Sequence, residues 1–504
     1  MDITLSEPVA VPVGAVVFDA AIYPRDKHNT GTVGQYVEAL RAGSTFPPII
    51  VDADGLRILD GKHRWLAHQE AAAETILVQK ATVAGLPEVS GEVEDATEKT
   101  AKLVVAYLRT CAAALNCDHG DRIPQAERQA VAHQLAALQV ASDLKPDVSA
   151  LAIDLRVSQR TMYEWLKDIL QAQQVQENAK VAWLDLLAWT QREVGEGVGL
   201  AHPNVGARLV RFCKTGESAK SYQADPDDPD DEKSGPDPYQ MVRAGLHRGL
   251  SVEAIADKET LPVNLVQAIA LQGKDDAERM AALKINVQPY DVWSFSSCHP
   301  MMGSKWPGRI PGELVCHLLY FFTQPGDLVV DPMVGSGTTI DACAYMGRRV
   351  YGCDANPAEG RFDVIEHNIA KDGWHPRTKD AKLIFWDPPY FAKKDDEYCD
   401  ESISRLDREA YIDFFSDALA QAHSTVKPGA TIALLMSDWD DQDNADKGIF
   451  IWDYADILRK TGWTLTRQIQ VPLSTQQVHP DIVNKFRASR KLARLERYVL
   501  VGRA

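Results

Sequence analysis

The stretch "GDLVVDPMVGSGTTIDACAYMGRRVYGCDANP" (326–357) decides the fold. Its apolar run at 327–330 has the length of a buried strand and ends in Asp331. "GSGTT" then lets the backbone turn sharply and come close to a ligand, and a helix is predicted over 338–346. "RVYGCD" (349–354) reads as a second strand, ending in Asp354. That acid stands about twenty residues past the glycines, where a carboxylate can hold a ribose hydroxyl pair. An α/β domain follows, with a ligand at the carboxyl ends of its strands. No lysine follows the glycines, which disfavours a triphosphate cradle of the P-loop kind. The "DP" entering the loop turns a carboxylate towards the ligand. This suits a cationic or amine-bearing molecule better than a pyrophosphate.

A second stretch repeats the device. "KLIFW" (382–386) is a buried strand by length and content, and "DPPY" follows it. Asp387 should therefore stand at a strand's carboxyl end. Pro388 and Pro389 fix φ and remove two backbone donors, so the turn is stiff and its carbonyls can accept hydrogen bonds. Tyr390 adds a ring. Beyond it, 391–407 reads as a polar loop over the site, 408–426 as an amphipathic helix and 430–438 as another buried strand. An edge hairpin is predicted from 463–472 and the closing "RYVLVG".

With 504 residues, two to four domains are expected. Apolar content of 45% and charged content of 25% are ordinary for a globular protein. No stretch has the length of a membrane span, and "MDITLSEPVA" lacks a basic-then-apolar signal, so a cytoplasmic location is expected. The eight cysteines form no C-x-x-C pair, which predicts reduced thiols and no metal site. A net charge of −17 argues against an unstructured nucleic-acid coat but leaves room for a local basic face. Much of the acid lies in "DPDDPDDE" (225–232), within an expected linker at 216–240.

Before that linker, two regions are expected. In the first, 1–85, "PPIIVDADGLRILDGKHRWLAHQEAA" (47–72) reads strand, turn, strand, tight turn, helix. Gly61 frees the backbone, and Lys62, His63 and Arg64 stand at a helix N-terminus, which favours an anion. The arrangement resembles the ParB/sulfiredoxin fold, an α+β domain. The resemblance implies a nucleoside triphosphate (CTP or ATP) at Gly61, Lys62, His63 and Arg64. Lys62 stands where sulfiredoxin needs a cysteine, so that chemistry is excluded. The second region, 86–215, is all-helical. Within it, "VSALAIDLRVSQRTMYEWLKDIL" (148–170) fits a helix-turn-helix register. Leu151, Ala152, Leu155, Val157, Met162, Trp165 and Leu166 would face inward, and Ser158 would cap the second helix. Gln159, Arg160, Thr161 and Tyr163 would face DNA. Arg156 occupies the place usually held by glycine, which predicts an irregular turn. A short helical segment, 241–284, follows the linker.

Taken together, "DPMVGSGTT" and "DPPY" resemble the amino-directed DNA methyltransferases, over 285–504. The segment "HPMMGSKWPGRIPGELVCHLLYFFTQPGD" (299–327) is similar to the one that helps hold the methionine end of the cofactor. The resemblance implies a Rossmann-like sheet and S-adenosyl-L-methionine held by Asp331, Pro332, Met333, Gly335, Ser336, Gly337, Thr338, Thr339, Asp354 and Asn356. It implies catalysis by Asp387, Pro388, Pro389 and Tyr390 on an extruded base. The aspartate-led motif favours adenine over N4 of cytosine. The implied partner is double-stranded DNA, and a homodimer stays open. No long insert separates the motifs, which leaves sequence choice to the N-terminal helices or the loops. In "NKFRASRKLARLER" (484–497), Lys485, Arg487, Arg490, Lys491, Arg494 and Arg497 form a basic patch expected to meet phosphates. The alternative reading is a nucleotide-switched, ParB-like DNA-binding protein of partition or regulatory type, with a non-catalytic methyltransferase scaffold.

Overall fold

The computed structural model describes every residue except 1–2, 25–29, 85, 87–93, 118–122, 143, 202–203, 207, 210–236, 305–307, 392–401, 442–443, 474–479, 491 and 493–494. Two units divide the chain, Met1–Gln174 and Val175–Ala504.

In the first unit, β1 (Ile3–Leu5), β2 (Val9–Pro12), β3 (Ile49–Asp52), β4 (Ile58–Asp60) and β5 (Thr75–Val83) build one sheet. Its order is β1-β5-β3-β4, with β2 also on β5. Asp52 shapes the turn between β3 and β4, accepting from the Gly55 N–H at 3.0 Å and from Arg57 Nη2 at 2.8 Å. Gly61 has φ +95°, and a Cβ there would meet Ile49 Cγ2 at 2.6 Å. Only glycine makes this corner into the helix Lys62–Glu70 without strain. The helix Glu94–Asn116 gives Leu108, Cys111 and Ala112 to the core beneath Leu59, Ala81 and Val83.

The helices Val148–Asp154 and Gln159–Leu186 form the pair expected at 148–170. Leu151, Ala152, Leu155, Met162, Trp165 and Leu166 are buried together, as the spacing predicts, and Val157 packs against them. The Ser158 hydroxyl accepts from the Thr161 N–H at 3.1 Å. The turn is not irregular. Arg156 takes φ +52°, the left-handed conformation a glycine would hold, at a cost of about 1 kcal/mol.

The units divide at 174/175 rather than at the boundary expected near 215. Trp183, Leu184, Leu187, Trp189 and Val194 explain the difference, since all are buried in the core of the second unit. Trp183 Nε1 donates to Asp363 at 2.7 Å, and Trp189 Nε1 to the Val350 carbonyl at 3.2 Å. Residues 216–236 of the expected linker lie outside the described residues. Four short helices follow, Pro238–His247, Val252–Glu259, Val263–Ala270 and Asp276–Ala282.

The second sheet contains β6 (Leu328–Asp331), β7 (Arg349–Asp354), β8 (Ile365–Glu366), β9 (Leu383–Trp386) and β10 (Thr431–Met436). A small hairpin, β11 (Trp439–Asp441) and β12 (Asn444–Ile449), precedes the last two strands, β13 (Thr464–Gln470) and β14 (Tyr498–Arg503). The order is β13-β14-β10-β9-β6-β7-β8. Strands β10 to β8 in that order are parallel, while β14 is antiparallel to both its neighbours. The chain leaves β6 for β7 on one side and returns to β9 on the other. Such a reversal opens a crevice at the carboxyl ends of the strands. The helices Thr338–Met346 and Arg408–Thr425 stand where the apolar periodicity places them.

Candidate active site

Three strands that meet at this reversal each end in an aspartate. Asp331 closes β6, Asp354 closes β7, and Asp387 follows β9. The first two acids fold the glycine loop. Asp331 accepts from Thr339 Oγ1 at 2.6 Å and from the Met333 N–H at 3.0 Å. Asp354 accepts from the Gly335 N–H at 2.8 Å and the Asn356 N–H at 3.0 Å. Asp387 Oδ1 accepts from the Tyr390 hydroxyl at 2.9 Å.

All three acids line one cavity of about 210 Å³. Met333, Gly335, Ser336, Thr338, Thr339, Asn356 and Pro389 line it too, so the two motif loops share a single space. Pro332, Gly337 and Pro388 are buried rather than lining it. Tyr390 reaches it through its bond to Asp387. The Pro389 carbonyl accepts from the Tyr411 hydroxyl at 3.1 Å, while the Pro388 carbonyl accepts no hydrogen bond from the described residues.

Burial dominates the electrostatics. It pushes Asp331 up to about 7, against its bonds to Thr339 and Met333, and the charges of Asp387 and Asp354 push the same way. Burial also takes Asp387 up to about 6, opposed by the charge of Arg497 and by the Tyr390 hydroxyl. Asp354 is raised by burial against the amides of Asn356 and Gly335. Crowded acids of this kind favour a bound cation or a proton.

A buried guanidinium supports the loop from behind. Arg361 Nη1 donates to both Asp341 oxygens at 3.1 and 3.0 Å, and Nε and Nη2 donate to Asp363 at 2.9 Å. Nη2 also reaches the Gly337 carbonyl at 3.3 Å, and Asp341 accepts from the Gly303 N–H at 2.7 Å. Gly308, Arg309 and Ile310 line the cavity from the segment expected at the methionine end, Ser402 and Ile403 from the loop expected over the site, and Asn368 and Ala370 without having been singled out from the sequence. Asn368 could have been found, because it follows β8 at the same sheet edge. Arg309 Nη2 donates to the Met302 carbonyl at 2.6 Å, whereas Nε is buried without a partner among the described residues.

Elsewhere the charges differ from expectation. Lys62 is buried, with Nζ 4.0 Å from the centroid of the Phe18 ring. Arg64 binds Asp60 at 2.8 Å and the Pro47 and Pro48 carbonyls at 2.9 Å. Both cations at this helix start are thus engaged within the fold. Gly61 makes the corner and His63 is half-buried. Gln159, Arg160 and Tyr163 are exposed as predicted, Thr161 is half-buried, and Ser158 is exposed with its oxygen used as a cap. Arg487 and Arg490 are exposed, while Lys491 and Arg494 lie outside the described residues, as do 392–401 of the expected loop. Arg497 corrects the reading of the basic patch. It is 8% exposed, because the start of β14 carries it into the sheet edge.

Comparison with known proteins bears on this geometry. The DNA methylase family model matches residues 217–361. The match includes Asp331, the glycine loop and Asp354, and stops short of Asp387. Over 80 residues the chain is 36% identical to the type II methyltransferase M2.DpnII of Streptococcus pneumoniae, covering 15% of this chain and 29% of that protein. Over 70 residues it is 34% identical to the type II methyltransferase M.HpaI of Haemophilus parainfluenzae, covering 14% and 22%. The chain thus spans less than a third of the length of these relatives. Among solved structures, TrmN from Thermus thermophilus is similar over 39% of this chain and 50% of that one, at 17% identity and a TM-score of 0.25. The family model and the two type II methyltransferases support the amino-methyltransferase family for the matched stretch. No described helix is long and apolar enough to cross a membrane.

Proposed function

We propose that this protein is an S-adenosylmethionine-dependent DNA methyltransferase acting on the exocyclic amine of adenine. One observation carries the reading: Asp331, Asp354 and Asp387 converge on a single cavity at the strand reversal, the last of them on the "DPPY" corner. The DNA methylase model over the first two acids supports it.

The residues suit the cofactor. Two raised carboxylates line a cavity that would welcome a sulfonium, and Asp354 ends the second strand, where a ribose diol is held. Arg309 Nε, a buried donor without a partner among the described residues, suits the methionine carboxylate. When bound, S-adenosylmethionine supplies an electrophilic methyl group.

An aromatic amine is a poor nucleophile, because its lone pair is conjugated into the ring. Asp387 accepts one amine hydrogen and the Pro388 carbonyl accepts the other. Together they favour a tetrahedral nitrogen whose lone pair is free. Tyr390 holds Asp387 through its hydroxyl and offers its ring to a base taken out of the duplex. Positioning then supplies much of the rate. Gln159, Arg160 and Tyr163, exposed at the start of their helix, form the DNA-facing part of a helix-turn-helix, and Arg487 and Arg490 contact phosphates.

The test is transfer of a labelled methyl group to duplex DNA, with the modified base identified by mass spectrometry. Asp387→Ala should lose about 100- to 1,000-fold in transfer, as the removal of one transition-state partner does, with cofactor affinity retained within a few fold. Full transfer in that variant overturns the reading, and a product methylated on cytosine overturns its adenine part.

A further inference from the structure

Arg497 stands immediately before β14 and is almost fully buried. Two bonds to Val471 fix it: its carbonyl accepts from the Val471 N–H at 2.7 Å, and its Nε donates to the Val471 carbonyl at 3.3 Å. The sheet register locates it further. Tyr498 lies opposite Met436 of β10, and Leu434 of β10 lies opposite Trp386 of β9. Arg497 is therefore level with Ser437, and Asp387 with Leu435. The two charged residues stand at one sheet edge with only β10 between them. Ser437 Oγ donates to the Glu496 carbonyl at 3.0 Å, which ties the segment to the end of β10.

We propose that Arg497 is a positioning residue whose buried guanidinium is the counter-charge that keeps Asp387 a carboxylate, able to accept an amine hydrogen. The proposal rests on the methyl-transfer reading of Asp387. Among the described residues, three charged or titratable groups bear on that acid. The Tyr390 hydroxyl donates to it from its own loop, Asp331 faces it from β6, and Arg497 acts from the start of β14. Burial disfavours its ionised form, while Arg497 and the Tyr390 hydroxyl favour it. A guanidinium suits the task because it stays protonated even when buried. Two strand spacings and an offset of two residues along β10 put the two Cα atoms roughly 12 Å apart. At an effective dielectric of about 20, a unit charge at that distance moves a pKa by about one unit.

The test uses full-length protein labelled with ¹³C at the aspartate carboxyl, the Asp387 signal being assigned by its loss in Asp387→Asn. The wild type should titrate near 6. Arg497→Met should titrate about one unit higher, a tenfold loss of carboxylate in the acid range, and Arg497→Lys should stay close to the wild type. If the Met variant does not fold, Arg497→Gln removes the charge while keeping a donor for the Val471 carbonyl, with the same expected shift. In parallel, the acid limb of the methyl-transfer pH profile should move up by the same amount. A structural role alone would lower transfer evenly across pH. An unchanged midpoint in the neutral variant overturns the proposal. An inactive wild type in which the shift still appears overturns the methyl-transfer reading and leaves the counter-charge standing.

Discussion

Gly337→Ala tests the cofactor loop most sharply. Gly337 has φ +79°, and a Cβ there would lie 2.3 Å from Arg361 Cζ, 2.5 Å from Nη2 and 2.6 Å from Nε. Two costs follow. The left-handed backbone costs an alanine about 1–2 kcal/mol. The guanidinium can retreat only by loosening its bonds to Asp341 and Asp363, and breaking a buried pair costs about 3–5 kcal/mol, which bounds the second cost from above. Gly360 separates the two. It has the same φ of +79° but nothing within 4 Å of its Cβ position, so Gly360→Ala incurs the backbone cost alone. If Gly337→Ala shifts the loop out of its ligand-ready shape by even about 1.4–2.8 kcal/mol, apparent cofactor affinity falls about 10- to 100-fold. Calorimetric titration of S-adenosylmethionine into both variants measures this, with melting temperatures as the control. Gly360→Ala should bind within about twofold of the wild type. Equal affinities in the two variants would refute the claim that Arg361 holds the loop.

Three further outcomes are expected. Asp331 and Asp387 have folded pKa values above the unfolded value, about 7 and about 6, so the folded chain binds more protons than the unfolded one. Their contribution to stability should fall as pH rises from about 4 to about 7 and then level off, and Asp331→Asn should flatten part of that slope in thermal melts across pH. A cationic ligand in the same cavity should expel protons, so calorimetry near pH 6.5 in buffers of different ionisation enthalpy should report net release; a buffer-independent heat would count against a sulfonium there. Arg156→Gly relieves a left-handed arginine in the turn before Gln159, and should raise the melting midpoint of the first unit by an amount worth a few tenths to about 1 kcal/mol.

The second sheet was legible because its signals are local. Each of three apolar runs ends in an acid, and a parallel sheet brings such ends to one edge, so Asp331, Asp354 and Asp387 could be placed together before any coordinates. Features that depend on a distant partner were not legible. Arg497 reads as one more cation in a basic run, and only its register against β10 shows where its charge goes. Lys62 reads as an anion-binding cation at a helix start, but Phe18, far from it in sequence, lies under its Nζ. The boundary expected near 215 failed for a similar reason. Trp183 and Trp189 look like the core of a helical region, until Asp363 and the Val350 carbonyl claim their indole hydrogens. At Arg156, backbone shape prevailed over residue preference.

Those two tryptophans also bear on how the chain can be cut. A fragment excised at the acidic run, or just before Tyr290, would look like a self-sufficient catalytic cassette. It would in fact expose the apolar floor that Trp183, Leu184, Leu187 and Trp189 cover. Any portable version has to begin inside the long helix, at or before Val175. Recombination in nature that keeps this chain folded has to respect the same seam.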